Sequence, residues 1–158
     1  MLELRAACGL PGSGKTTEGR RWVSADPDHR AYVDRDSLRA MLHDGRFVAD
    51  ITEPVIVAAE TALIRALLAR GISVFCGDTN FPEPVMAMWV ELAAEAGAVF
   101  TVADLRDVPL LVCIGRDAKR PCPGGGLRSA GEGSQVGEAV IRRYHTQYIE
   151  GRSPVMAS

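Results

Sequence analysis

One stretch of eight residues, Gly9 to Thr16, restricts the fold of this chain more than any other. It reads Gly-Leu-Pro-Gly-Ser-Gly-Lys-Thr and satisfies G-x-x-x-x-G-K-[ST]. In such a loop the glycines let successive backbone N–H groups turn inward onto phosphate oxygens, the lysine reaches the β and γ phosphates, and the hydroxyl residue ligates magnesium. Gly9, Gly12, Ser13, Gly14, Lys15, Thr16 and Thr17 are therefore the expected phosphate-binding residues, with Thr16 the expected magnesium ligand. Leu2 to Cys8 reads as a short buried strand, so the loop joins a strand to a helix, as the mechanism requires. Lysine usage strengthens the assignment: Lys15 and Lys119 stand against sixteen arginines, so Lys15 is a poor candidate for an incidental surface charge.

The rest of the chain alternates strands and helices. Thr17 to Ser24 reads as a first helix, its N–H groups aimed at the phosphates, and Arg30 to Val33 as a second strand. A short helix carries Leu38, Met41 and Leu42 and stops at Gly45. A longer one runs from an N-cap at Thr52 to Arg70 with Ile56, Ala59, Leu63, Ala66 and Leu67 on one face. Ile72 to Gly77 is a continuous apolar run, the pattern of a parallel strand covered on both sides. A helix from Pro82 to Ala96 follows, packing Trp89 on the sheet, then a strand from Ala98 to Ala103. Asp107 is the expected cap of a helix reaching Lys119. Residues 121–133 are too rich in glycine and proline for regular structure, and Ser134 is the expected cap of a last helix over 135–149. The pattern predicts an α/β domain with a parallel sheet and right-handed crossovers.

The 158 residues suit one domain. A net charge of −2 argues against a protein that coats nucleic acid by bulk charge, yet allows a local basic groove. No apolar run has the length of a membrane span and no leader pattern precedes the first strand, so a cytoplasmic protein without a membrane partner is expected. Cys8, Cys76, Cys113 and Cys122 form no C-x-x-C pair and read as reduced, structural cysteines. His29, His43 and His145 show no metal-ligand spacing.

Open α/β sheets place chemistry at the carboxyl ends of their strands, and two acidic groups arrive there. Asp36 is either a general base for an attacking hydroxyl or the N-cap of the following helix. Asp34 is the competing base, with a structural role favoured. Asp34-x-Asp36 also resembles the D-x-D-x-[TV] motif of haloacid dehalogenase phosphatases, but Leu38 holds the last position and the phosphate loop already occupies the first strand. Asp78 either holds a magnesium-bound water or orients an arginine, or else structures the turn with Thr79. Thr79 stands where ATP-hydrolysing motors carry glutamate, which favours transfer over hydrolysis, and no NKxD motif points to a GTPase. Arg116 and Arg120, four apart, are either lid cations over a migrating phosphoryl group or a solvated helix end.

Taken in order, Gly-Leu-Pro-Gly-Ser-Gly-Lys-Thr at 9–16, Asp-Arg-Asp-Ser-Leu-Arg at 34–39, Asp-Thr-Asn-Phe-Pro at 78–82 and Arg-Asp-Ala-Lys-Arg at 116–120 resemble the 5′-kinase domain of bacteriophage-type polynucleotide kinases. The resemblance implies one P-loop kinase domain over 1–158, a parallel sheet of four to five strands flanked by helices and a helical lid near 108–133; the terminal position of residues 151–158 makes a disordered tail the expectation there. It implies transfer of the γ-phosphate of ATP, or another NTP, to a 5′-hydroxyl of DNA or RNA with Mg2+. Lys15, Asp36, Arg116 and Arg120 become the catalytic set, Asp36 activating the hydroxyl. Arg39 becomes the grip on the acceptor's phosphate, with Asp78 and Thr79 beside it. No phosphatase or ligase module accompanies these motifs, so separate proteins would supply those steps in repair of nucleic acid. A small-molecule or nucleoside kinase and a non-catalytic ATP-binding regulatory module are the alternative readings.

Overall fold

The computed structural model describes residues 1–120 and 135–150. Four strands, β1 (Glu3–Cys8), β2 (Arg30–Val33), β3 (Ser73–Cys76) and β4 (Val99–Asp104), form a wholly parallel sheet in the order β2-β3-β1-β4. Leu4 sits opposite Val74, Ala6 opposite Cys76, Val33 opposite Cys76 and Cys8 opposite Asp104. All four residues of β3 are buried, the polar Ser73 with the apolar Val74, Phe75 and Cys76, as befits a parallel strand covered on both faces.

Strand alternation sorts the core into two faces. On one, Leu4, Ala6, Val33, Val74 and Cys76 pack with Ile56, Ile64 and Leu68 of α3 (Glu53–Leu68) and with Trp89, Leu92 and Ala93 of α4 (Glu83–Glu95). On the other, Ala7 and Phe75 pack with Trp22 of α1 (Lys15–Ser24). Gly19 lets α1 lie close to the sheet: a Cβ there would come within 2.5 Å of the Tyr32 ring. A third cluster joins Cys8, Leu10 and Phe81 to Cys113 of α5 (Leu110–Asp117) and Ile141 of α6 (Glu138–Tyr148). Phe81 stacks on Tyr148 with ring centroids 5.0 Å apart, which fixes α6 beside the carboxyl end of the sheet.

Several expectations need correction. The buried row of α3 is Ile56, Glu60, Ile64 and Leu68, whereas Leu63 is exposed. The helix is apolar nearly all round, and the position of its core face is set by Glu60, which turns inward to an arginine. Thr52 is the N-cap residue of α3, as expected, but its hydroxyl accepts the Val48 N–H at 2.8 Å in place of a helix N–H. On α2 (Arg35–His43) only Leu38 is buried, and Met41 and Leu42 face solvent. Asp107 does not cap α5, whose N-cap is Pro109 with an extended ψ of 139°. The proline disfavours helical geometry at Val108, moving the helix start out of reach of Asp107. The glycine-rich stretch 121–133, the cap expected at Ser134, Cys122 and the tail lie outside the described residues. No helix among the described residues is long and apolar enough to cross a membrane.

Candidate active site

The phosphate loop bridges the end of β1 and the start of α1, and its turn depends on two glycines with positive φ, Gly12 (83°) and Gly14 (104°). A Cβ at Gly12 would lie 2.3 Å from the Cys113 carbonyl oxygen, so no larger residue fits against α5. Lys15 Nζ donates to the carbonyl oxygens of Gly9 at 2.9 Å and Leu10 at 2.8 Å. From outside the loop, Arg116 Nη1 donates to the carbonyls of Gly12 at 3.4 Å and Ser13 at 3.3 Å. These donors hold carbonyls away from the concave side, where the N–H groups are needed. Burial brings the Lys15 ammonium down to a pKa of about 8, with the charge of Asp78 working against the shift and that of Arg120 adding to it.

Next to the loop, Tyr32 OH donates to Thr16 Oγ1 at 3.3 Å. Burial, assisted by Asp34, raises the phenol far above its ordinary pKa and keeps it a donor. Asn80 forms a buried brace behind the loop. Its Nδ2 donates to the Ala7 carbonyl at 2.8 Å and the Asp78 carbonyl at 3.1 Å, and its Oδ1 accepts the Trp89 indole N–H at 3.0 Å. The Gly9 N–H meets the Thr79 carbonyl at 3.4 Å, so the ends of β1 and β3 are tied together.

Asp78 is held by Arg35: the Arg35 backbone N–H donates to its Oδ1 at 3.1 Å, and Arg35 Nε lies 3.3 Å from Oδ2. The same Nε donates to Glu60 Oε2 at 2.8 Å, and the Glu60 side chain is fully buried. Burial first and the neighbouring Glu60 second raise the Asp78 carboxyl well above the usual range. Glu60, Cys76 and Asp78 bring ligand atoms within 4.8 Å of one another, but Arg35 already supplies the cation there. Asp78 Oδ2 is buried and accepts no well-formed hydrogen bond, Arg35 Nε being its cationic neighbour, and Asp78 shares the cleft lining with Thr16.

The end of β2 resolves the two aspartates. Asp34 is the N-cap of α2, accepting the Ser37 N–H at 2.6 Å. Asp36 is thereby released into the first turn, its side chain 53% exposed and 2.6 Å from Arg39 Nη1. Desolvation against the cleft wall raises the Asp36 carboxyl above its ordinary value, Asp34 and Asp78 adding to the rise and Arg39 opposing it. Arg39 is only 12% exposed and is clamped by Glu53, whose two carboxylate oxygens accept Nε at 2.6 Å and Nη2 at 2.7 Å.

These groups share one cleft of about 650 Å3, walled by the loop, Lys15, Thr16, Asp36, Arg39, Asp78, Thr79 and Arg120, with Tyr32, Phe47, Glu53 and Tyr144 among its other lining residues. Arg116 and Arg120 do not share a helical face, because α5 ends at Asp117. Arg116 serves the loop backbone, while Arg120 lies 3.5 Å from Asp117 on the cleft wall. Asp117 also receives the N–H groups of Val136 and Gly137, joining the start of α6 to the end of α5. Tyr32, Arg35, Glu53, Glu60 and Asn80 escape sequence reasoning. Glu60 alone carried a signal there, as an acid within an otherwise apolar helical row.

A parallel sheet with a phosphate loop after its central strand, and acids and arginines converging on it, defines a P-loop kinase-like α/β protein, and such a fold implies a nucleotide on the loop. The chain belongs to the AAA domain family, whose model matches residues 4–150. Among solved structures, a chain of the Pnkp1/Rnl/Hen1 RNA repair complex is 24% identical with a TM-score of 0.75, the match covering 93% of this chain and 44% of that one. The Mycobacterium tuberculosis APS kinase CysC in complex with AMPPNP and APS is 22% identical with a TM-score of 0.60, covering 75% and 69%. Chaetomium thermophilum Kti12 in complex with ADP-AlF3 is 18% identical with a TM-score of 0.68, covering 94% and 81%. These likenesses show the fold, and this chain spans less than half the length of the repair-complex chain. No curated protein matches the chain.

Proposed function

We propose that this protein is an ATP-dependent polynucleotide kinase that phosphorylates a 5′-hydroxyl end of DNA or RNA. The observation that carries the reading is the acceptor half of the cleft: a solvent-facing carboxylate, Asp36, paired with an arginine, Arg39, that a second acid fixes in place. A nucleic-acid end offers what this pair binds, a hydroxyl for the base and a phosphate for the guanidinium. The likeness to a chain of an RNA repair complex supports a nucleic-acid acceptor. The likeness to APS kinase keeps a small-molecule acceptor as the competing reading.

In this reading the donor phosphates lie on the loop N–H groups of Gly12 to Thr17, and Lys15 leaves the Gly9 and Leu10 carbonyls to meet the β and γ oxygens. Thr16, with Asp78 through water, would hold a magnesium ion, which supplies neutralisation of phosphate charge. Asp36 takes the proton of the acceptor hydroxyl as its oxygen bonds to the γ phosphorus. The bond from that phosphorus to the bridging oxygen breaks and ADP departs. Arg120 adds positive charge from the cleft wall, Arg116 holds the loop in shape, and Arg39 with Thr79 orients the acceptor. Most of the rate gain is positioning and electrostatics.

Asp36→Asn tests the assignment. The side chain is half exposed and does not cap α2, so fold and ATP affinity are expected to persist while transfer falls by about 100-fold or more. Transfer within a few-fold of wild type would remove Asp36 as the base.

A further inference from the structure

Three aromatic residues line the cleft among the described residues: Tyr32 is tied to Thr16, Tyr144 packs against Phe81 and Tyr148, and Phe47, used by none of the steps above, is the exposed one. Phe47 stands in the connection between α2 and α3 and remains 41% exposed. The Arg39 guanidinium carbon lies 5.5 Å from the centroid of its ring. Glu53 holds that guanidinium by two hydrogen bonds, so the cation and the ring keep a fixed relation. A phenyl group left open in a polar cleft invites a flat π surface, and a hydroxylated sugar or small polar metabolite offers none.

We infer that Phe47 and Arg39 together form a nucleotide clamp on the acceptor side, in which Phe47 stacks the acceptor's nucleobase while Arg39 holds its phosphate. The inference rests on the polynucleotide reading and sharpens it: the acceptor is recognised as one whole nucleotide, base included. Stacking reads no base edge, so every base is accepted. The connection that carries Phe47 follows directly on the α2 helix that carries Asp36 and Arg39, so one segment presents the proton acceptor, the phosphate grip and the platform.

The test compares wild type, Phe47→Ala, Phe47→Leu and Phe47→Trp on two 5′-hydroxyl oligonucleotides, one with a normal terminal nucleotide and one abasic there. Stacking of one base on an aromatic residue predicts a KM raised about 5- to 100-fold for Phe47→Ala with the normal acceptor. Phe47→Leu should behave like Phe47→Ala, Phe47→Trp should stay close to wild type, and all four proteins should treat the abasic acceptor alike and bind ATP equally. An equal loss on both acceptors would overturn the platform, since Phe47 would then only be shaping Arg39. Wild-type KM values for Phe47→Leu or Phe47→Ala would overturn it too. A wild-type protein that phosphorylates neither oligonucleotide but labels a small metabolite would overturn the polynucleotide reading and the clamp with it.

Discussion

Replacement of Asn80 by alanine probes the brace that joins the phosphate loop to Asp78. Asn80 is 3% exposed, and its amide satisfies the Ala7 and Asp78 carbonyls and the Trp89 indole N–H. Removing it leaves a buried indole donor and a buried carbonyl without partners, each costing about 1–3 kcal/mol. Asn80 also has a φ of 47°, which alanine tolerates worse by about 1 kcal/mol. The contributions overlap, and their joint effect is about 3–5 kcal/mol, a large share of the ~5–15 kcal/mol typical of a domain. Urea unfolding followed by tryptophan fluorescence should show a lower midpoint with an unchanged slope. Asn80→Gly, which removes the backbone penalty alone, should recover about 1 kcal/mol of the loss. A destabilisation below about 1 kcal/mol for Asn80→Ala would refute the view that this amide carries the joint between β1 and β3.

Two other perturbations have clear signs. With a Lys15 pKa of about 8 in the free protein, the charged form that phosphates prefer is complete below that pH and lost above it. ATP affinity measured by calorimetry should therefore weaken as pH rises from 8 to 9.5, binding should take up protons there, and a flat profile would contradict the assignment. Between pH 8 and the ordinary lysine value the unfolded chain holds a proton that the folded chain does not, so this group makes stability rise with pH in that window. Glu60→Ala leaves Arg35 with Asp78 as its remaining carboxylate partner inside the fold, so the charge stays compensated and thermal unfolding should report a loss of about 1–3 kcal/mol for the missing hydrogen bond. Glu60→Gln, which retains an acceptor oxygen, should lose less.

Local chemistry made much of this architecture readable. The phosphate loop, β2 at Arg30–Val33 and the buried β3 follow from glycine spacing and apolar runs that act over a few residues. Asp34 and Asp36 were separable only in three dimensions, because either could cap the helix and the extended backbone at Asp34, ψ 160°, decides which one does. The core face of α3 was hidden by its own composition: a helix apolar on most sides takes its orientation from tertiary contacts, here Glu60 reaching Arg35. Glu53 and Asn80 were illegible for a related reason. Each acts on a group from another part of the chain, Glu53 on Arg39 across fourteen residues and Asn80 on Ala7 across seventy-three. The split between Arg116 and Arg120 depended on α5 ending at Asp117, a boundary that a fourfold spacing does not reveal.

In the proposed function the acceptor half of the cleft receives a nucleic-acid 5′ end. Purified protein incubated with magnesium, γ-labelled ATP and a mixture of 5′-hydroxyl DNA, 5′-hydroxyl RNA and small hydroxylated metabolites tests it most directly. Label is expected to accumulate on polynucleotide 5′ ends. Label confined to a small metabolite, or released only as inorganic phosphate, would contradict it.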